Sequence, residues 1–213
     1  MKTFIIATNN KGKLAEMSRI LGPLGISAMS AAQAGITLDD VEETGETFAE
    51  NAFIKAKAAS QKTGLPAVAD DSGLCVDALG GRPGVYTARY AGENATDDMR
   101  MDKLLFELKD VPEDKRAARF VSAVCCVFPD GRKIEAEGKC EGKIAFEKLG
   151  SGGFGYDPIF TVDGKSFARM SDGEKVKRRR YLILLFGFSH GSFCRFVLAA
   201  YDVKIGFYEC DIF

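Results

Sequence analysis

Ala67-Val68-Ala69-Asp70-Asp71-Ser72-Gly73 is the stretch around which this 213-residue chain is organised. An apolar run over residues 65–69 stops at two adjacent carboxylates, a hydroxyl and a glycine. The run predicts a short buried strand, and the polar residues its carboxyl end. In open α/β sheets, ligands bind outside the carboxyl ends of strands. Two neighbouring carboxylates at a half-buried edge repel, and keeping both charged there without a cation is costly. A hard divalent ion such as Mg²⁺ removes the conflict, because it takes oxygen ligands and leaves room for phosphate oxygens. The plainer reading of the same residues is a strand followed by an Asx turn with solvated acids.

Apolar residues make up 46% of the chain, enough for a full core, and the length fits one large domain or two small ones. A formal net charge of −1 argues against a general nucleic-acid or membrane-surface binder. The six cysteines are scattered, and none forms a CxxC pair. Adjacent Cys125 and Cys126 are expected on opposite faces of a strand. Such usage suits small apolar residues in a reduced, cytoplasmic setting. No basic-then-apolar signal segment precedes the first strand, and no apolar run has the length of a membrane span.

Outward from the centre, residues 3–7 predict a strand that ends in Thr8-Asn9-Asn10-Lys11-Gly12-Lys13. Leu14, Met17, Ile20 and Leu21 then recur at helical spacing until Gly22-Pro23. Strand, polar glycine-bearing loop and helix is a geometry that presents backbone N–H groups and a lysine to phosphate, although a simple βα turn has the same pattern. Residues 26–29 predict a short strand. Thr47 and Glu50 have the spacing of a capping box and open a helix with Phe48, Ala52, Ala56 and Ala59 on one face. Asn51 and Lys55, four apart, share another face, which reads as solvated unless a cleft lies beside it. Residues 97–108 predict an amphipathic helix capped by Thr96, and residues 118–128 and 133–142 a β-hairpin turning at Pro129-Asp130-Gly131. In the glycine-rich stretch 150–158, Phe154 and Tyr156 sit between glycines, which leaves both rings free to stack on a flat base. Ser171 and Glu174 repeat the capping-box spacing and predict a further helix start.

Four of these segments, taken in order, resemble one family. They are Thr8-Asn9-Asn10-Lys11-Gly12-Lys13, the segment from Glu43-Thr44-Gly45 to Lys55, Ala69-Asp70-Asp71-Ser72-Gly73-Leu74 with Leu79-Gly80-Gly81-Arg82-Pro83-Gly84, and Gly153-Phe154-Gly155-Tyr156-Asp157-Pro158. Over residues 2–175 the chain resembles the Ham1-type inosine/xanthosine triphosphate pyrophosphatases. The resemblance implies an α/β fold: an elongated mixed β-sheet with flanking helices, two lobes around a central cleft. It implies Mg²⁺-dependent hydrolysis of ITP, dITP and XTP to monophosphate and pyrophosphate by a cytoplasmic homodimer. By the same resemblance Thr8, Asn10 and Lys13, with Asn9, Lys11 and Gly12 among them, match the triphosphate-binding loop. Asp71 matches the general base and metal ligand, and Ser72 a substrate contact. Glu42 matches the second metal carboxylate, with Glu43 as the alternative one position on. Lys55 matches a phosphate-facing lysine, Phe154, Gly155, Tyr156 and Asp157 the segment along base and sugar, and Lys175 a further substrate lysine.

The chain departs from the family after Lys175. Where the family continues with Ile-Ser-His-Arg, this chain runs through Arg178-Arg179-Arg180-Tyr181, and its one histidine, His190, lies too late to replace the motif. Residues 1–175 are therefore expected to form the catalytic domain, and residues 176–213 an atypical tail from a different reading frame or last exon. The loss of the His-Arg donors leaves a second reading open: a nucleotide-binding or dimerising partner with weak or no catalysis.

Overall fold

The structure is a computed structural model. It describes residues 2–8, 11–171, 174–175, 183–189, 193–199 and 208–209; from 183 onward, and at residues 11, 12, 16, 20 and 24, it describes the backbone alone. The strands are β1 (Lys2–Ile6), β2 (Ile26–Ser30), β3 (Ala67–Val76), β4 (Ala117–Val127), β5 (Lys133–Ile144), β6 (Phe160–Val162) and β7 (Lys165–Ser166). They form one mixed sheet in the order β2-β1-β3-β4-β5-β6-β7. The helices are α1 (Lys11–Leu21), α2 (Phe48–Thr63) and α3 (Asp97–Glu107). This is the mixed α/β architecture expected from the sequence.

The chain divides into two compact units. The first holds Met1–Asp71, Ala123–Glu137 and Tyr181–Phe213; the second holds Ser72–Ser122 and Gly138–Arg180. In the first unit, β1 pairs in parallel with β2 and with β3, the latter through Ile5↔Ala67 and Ile6↔Val68. Alternation along the strands sorts the core into two faces. Phe4, Ile6, Val68, Val124 and Cys126 pack with Leu21 of α1. Ile5, Ala7, Ala67, Ala69, Cys125 and Val127 pack with Ala52, Ala56 and Ala59 of α2. Adjacent Cys125 and Cys126 thus face opposite sides, as their spacing requires. On this face the α2 residues are all alanine and half of their partners are too, so α2 lies close against the sheet. Thr47 caps α2 with the expected capping box, and Gly64 ends it with left-handed backbone at φ 67°.

The second unit is built on α3, capped by Thr96, whose Met101, Leu104 and Leu108 are buried. They join Leu74, Val76, Ala118, Ile144, Phe160 and Phe167 in one cluster. Arg116 is fully buried there and donates to the carbonyls of Leu108, Val111, Ile144 and Ala145 at 2.7–3.2 Å. Its guanidinium donors are therefore spent on backbone carbonyls, which satisfies the buried charge.

Two expectations need correction. The polar run at residues 70–73 does not end the central strand: β3 continues through it to Val76. The apolar pattern resumes at Leu74 and Val76, which are buried in the second unit's core and draw the strand onward. It is β1 that ends here, opposite Val68, so the two acids lie just past the carboxyl end of β1. Helix α1 also starts earlier than its apolar stripe, at Lys11, so Lys11, Gly12 and Lys13 form its first turn and not a loop. In the C-terminal segment, β8 (Ile183–Ser189), β9 (Phe193–Ala199) and β10 (Tyr208–Glu209) form a separate antiparallel sheet in the order β10-β9-β8. Arg178, Arg179, Arg180, Tyr181 and His190 lie outside the described residues.

Candidate active site

The first unit gathers three carboxylates and two lysines. Lys13, in the first turn of α1, pairs with Asp70 at 2.5 Å. Lys55 of α2 pairs with Asp71 at 3.0 Å and with Glu43 at 3.3 Å. Asn51, one turn before Lys55, donates to the other oxygen of Asp71 at 3.4 Å. Both faces of α2 therefore have work: alanines seat it on the sheet, and Asn51 and Lys55 meet β3. The sequence-based reading of these two as a solvated surface is overturned, since Asn51 is only 2% exposed.

Burial lifts the Asp71 carboxyl above its ordinary range, and Glu43 adds to the lift; Lys55 and Lys13 oppose it without reversing it. The acids outnumber the ammonium groups, and Asp71 still resists its charge. Such a donor set, all hard oxygen, fits a further cation of the Mg²⁺ type. Among the described residues no group of three or more His, Cys, Asp or Glu side chains is placed to hold a metal by itself. A cation here would complete its shell with phosphate oxygens and water, the usual habit of Mg²⁺.

Of the two adjacent acids, Glu43 is the one that reaches the cluster. Glu42 is exposed, and its carbonyl accepts the Thr44 N–H at 3.1 Å. Thr8 lies two residues past β1, its N–H donating to the Ile6 carbonyl at 2.9 Å. Asn9 and Asn10 lie outside the described residues, as does the side chain of Lys11.

Taken by itself, the second unit holds the glycine loop and Lys175. Phe154 is exposed, as expected of a stacking ring. Tyr156 is not free: its ring is buried in the core cluster and its hydroxyl donates to the Thr87 carbonyl at 3.1 Å. Asp157 is fully buried and pairs with Lys175 at 2.9 Å. Gly153 is required beside this pair, because a Cβ there would lie 2.2 Å from Asp157 Oδ2 and 2.6 Å from Lys175 Nζ. Asp97, at the start of α3, accepts the Gly155 N–H at 2.8 Å and is itself paired with Arg100. A pocket of about 290 Å³ lies beside the loop, lined by Asp97, Asp98, Met101, Lys148 and loop residues. Ser72 is half-buried in β3. The Ser171–Glu174 capping box forms, with Ser171 Oγ accepting the Glu174 N–H at 3.3 Å.

The sequence model of the Ham1 family matches residues 4–180. The chain belongs to the Ham1 family. This Ham1 chain is 49% identical over 179 residues to a Halalkalibacterium halodurans protein named dITP/XTP pyrophosphatase, covering 83% of the chain and 92% of that relative. Among solved structures it is similar to a HAM1 protein from Coxiella burnetii, with a TM-score of 0.78 and 41% identity over 84% of this chain and 91% of that one. The Staphylococcus aureus Ham1 protein gives a TM-score of 0.75 at 41% identity, covering 82% and 89%. Gly45 and Asn51 lie inside the segment from Glu43 to Lys55 that carries the resemblance, but only the register of Asn51 with Lys55 pointed to a role; Asp97, at the start of α3, stands in none of the four segments.

Proposed function

We propose that this chain hydrolyses non-canonical purine nucleoside triphosphates, dITP and XTP among them, to the monophosphate and pyrophosphate. The observation that carries the reading is its similarity, over nine-tenths of that relative's length, to the dITP/XTP pyrophosphatase of Halalkalibacterium halodurans. The acid–lysine cluster at Asp71 supplies matching chemistry. Nothing among the described residues favours the alternative of a binding partner without catalysis.

Asp71 acts as general base. Its carboxylate takes a proton from a water molecule that attacks the α-phosphorus; the new P–O bond forms as the bond to the bridging oxygen breaks, and pyrophosphate leaves. A carboxyl lifted by burial is a stronger base than a solvated one, and this suits the role. Lys13 and Lys55 hold phosphate oxygens, together with Thr8, Asn10 and the N–H groups at the start of α1. Asp71 and Glu43, with Glu42 as its neighbour, would hold a divalent cation, Mg²⁺ being the best match. When bound, it would neutralise charge on the phosphate oxygens. Ser72 contacts the substrate beside Asp71. In the second unit the exposed Phe154 is the ring to stack on a purine, and the buried Asp157–Lys175 pair fixes the loop that carries it. Residues 1–175 form the catalytic part, and the end of the family match at residue 180 supports that boundary.

We place the protein as a homodimer in the cytoplasm. Among the described residues, the buried thiols of Cys125 and Cys126 suit a reducing compartment, and no helix is long and apolar enough to cross a membrane.

The test is pyrophosphate release from dITP, XTP and dATP, with and without Mg²⁺. Metal-dependent release that is faster from dITP and XTP is expected. A folded protein that releases none from any of them overturns the proposal. Equal rates from dITP and dATP would leave the hydrolysis standing and remove the base preference.

A further inference from the structure

Asn51 is buried on the flank of the alanine face of α2, and both ends of its amide are engaged. Its Oδ1 accepts the Gly45 N–H at 2.8 Å, and its Nδ2 donates to Asp71 Oδ2 at 3.4 Å. The first bond dictates the second. An amide whose oxygen is taken by a backbone N–H turns only its NH₂ toward the carboxylate. One turn along, Lys55 donates to Asp71 Oδ1 at 3.0 Å. Asp71 is thus held at both oxygens by residues four apart on one helix, one neutral and one charged.

Gly45 reports the same constraint from the other side. A Cβ there would lie 2.7 Å from Asn51 Oδ1, 2.7 Å from Glu50 Cβ and 2.9 Å from the Asn51 backbone nitrogen. Neither neighbour is free to yield. Glu50 is tied by its carboxylate to the N–H groups of Glu46 and Thr47, and the Asn51 nitrogen is bonded within the helix to the Thr47 carbonyl. Residues 43–45 therefore approach the first turn of α2 at a distance only glycine permits. That segment carries Glu43, whose carboxylate meets Lys55.

We infer that Asn51 is a positioning residue for the hydrolysis: it fixes the orientation of the Asp71 carboxylate and, through Gly45, the placement of Glu43. The inference rests on the reading of Asp71 as the general base. Asn51 acts through Asp71 and not on the nucleotide, so it governs turnover more than affinity. A reacting group displaced by about 1 Å costs on the order of 100-fold in rate.

The experiment combines kinetics with stability. Asn51→Asp keeps the side-chain size and the acceptor for Gly45, and sets a repelling carboxylate where the donor to Asp71 was; Asn51→Ala removes both bonds without adding charge. With dITP, both are expected to lower kcat by about 10–100-fold, with KM within about twofold of wild type. Gly45→Ala is expected to act in the same direction. Wild-type kcat per folded molecule in both Asn51 variants, with only the Tm lowered, would mean a structural role and overturn the inference. If the wild-type protein itself turns over no dITP, the functional reading fails instead, and a thermal double-mutant cycle decides for Asn51. Across Asn51→Ala, Asp71→Ala and the double variant, the Tm shifts are expected to be non-additive; additive shifts overturn the contact.

Discussion

Asp71 carries a conflict between stability and chemistry. Burial raises its folded pKa, so the folded state keeps a proton that the unfolded chain, with a carboxylate pKa of about 3.9, has already lost. Where the native state binds more protons, stability falls as pH rises. The penalty is therefore absent below the unfolded pKa, grows as pH rises through the window between the two values, and is complete above the folded one. Asp71→Asn removes the charge and keeps the shape. It is expected to lower turnover by about 100-fold or more while leaving Tm at pH 7 equal to or above wild type. Tm measured against pH for both proteins should show that difference closing as the solution is acidified through the carboxylate range. A Tm clearly below wild type at pH 7 would mean that the Lys55 ion pair outweighs the burial cost.

At the scale of elements, α2 is held by fit. Ala52, Ala56 and Ala59 are fully buried against Ile5 of β1, Ala7 just past it, and Ala67 and Ala69 of β3. Ala56→Leu adds volume where there is none and should destabilise by about 1–3 kcal/mol, measured by urea denaturation. An exposed change on the same helix, such as Lys57→Ala, should cost less than about 0.5 kcal/mol. The helix was legible in the sequence, because its capping box and its apolar spacing agree. So were α3 and the β4–β5 hairpin. The full length of β3 was not, since Asp70-Asp71-Ser72-Gly73 has the local chemistry of a turn, and only the burial of Leu74 and Val76 beyond it keeps the chain extended. The candidate site shows the same division. Lys13, Lys55 and Asp71 stand in recognisable motifs. The bond from Asn51 to Asp71 spans twenty positions and leaves no local trace, and the burial of Tyr156 runs against the freedom its flanking glycines advertise.

At the scale of the whole molecule, β3, β4 and β5 each begin in one unit and finish in the other. Three strands run without a break from one unit into the other, so calorimetry should record a single unfolding transition; two resolved transitions would show the units melting apart. The tail strands β8, β9 and β10 fall in the first unit, the one that also holds Asp71. One consequence concerns how such a molecule can be dissected. The first unit is stitched from three separate stretches of chain and the second from two. No single cut of the gene yields either one whole, and every truncation library would sever strands in mid-course. The unit that holds the acid–lysine cluster cannot be borrowed, swapped or grafted as a cassette; it is inherited with its partner or not at all.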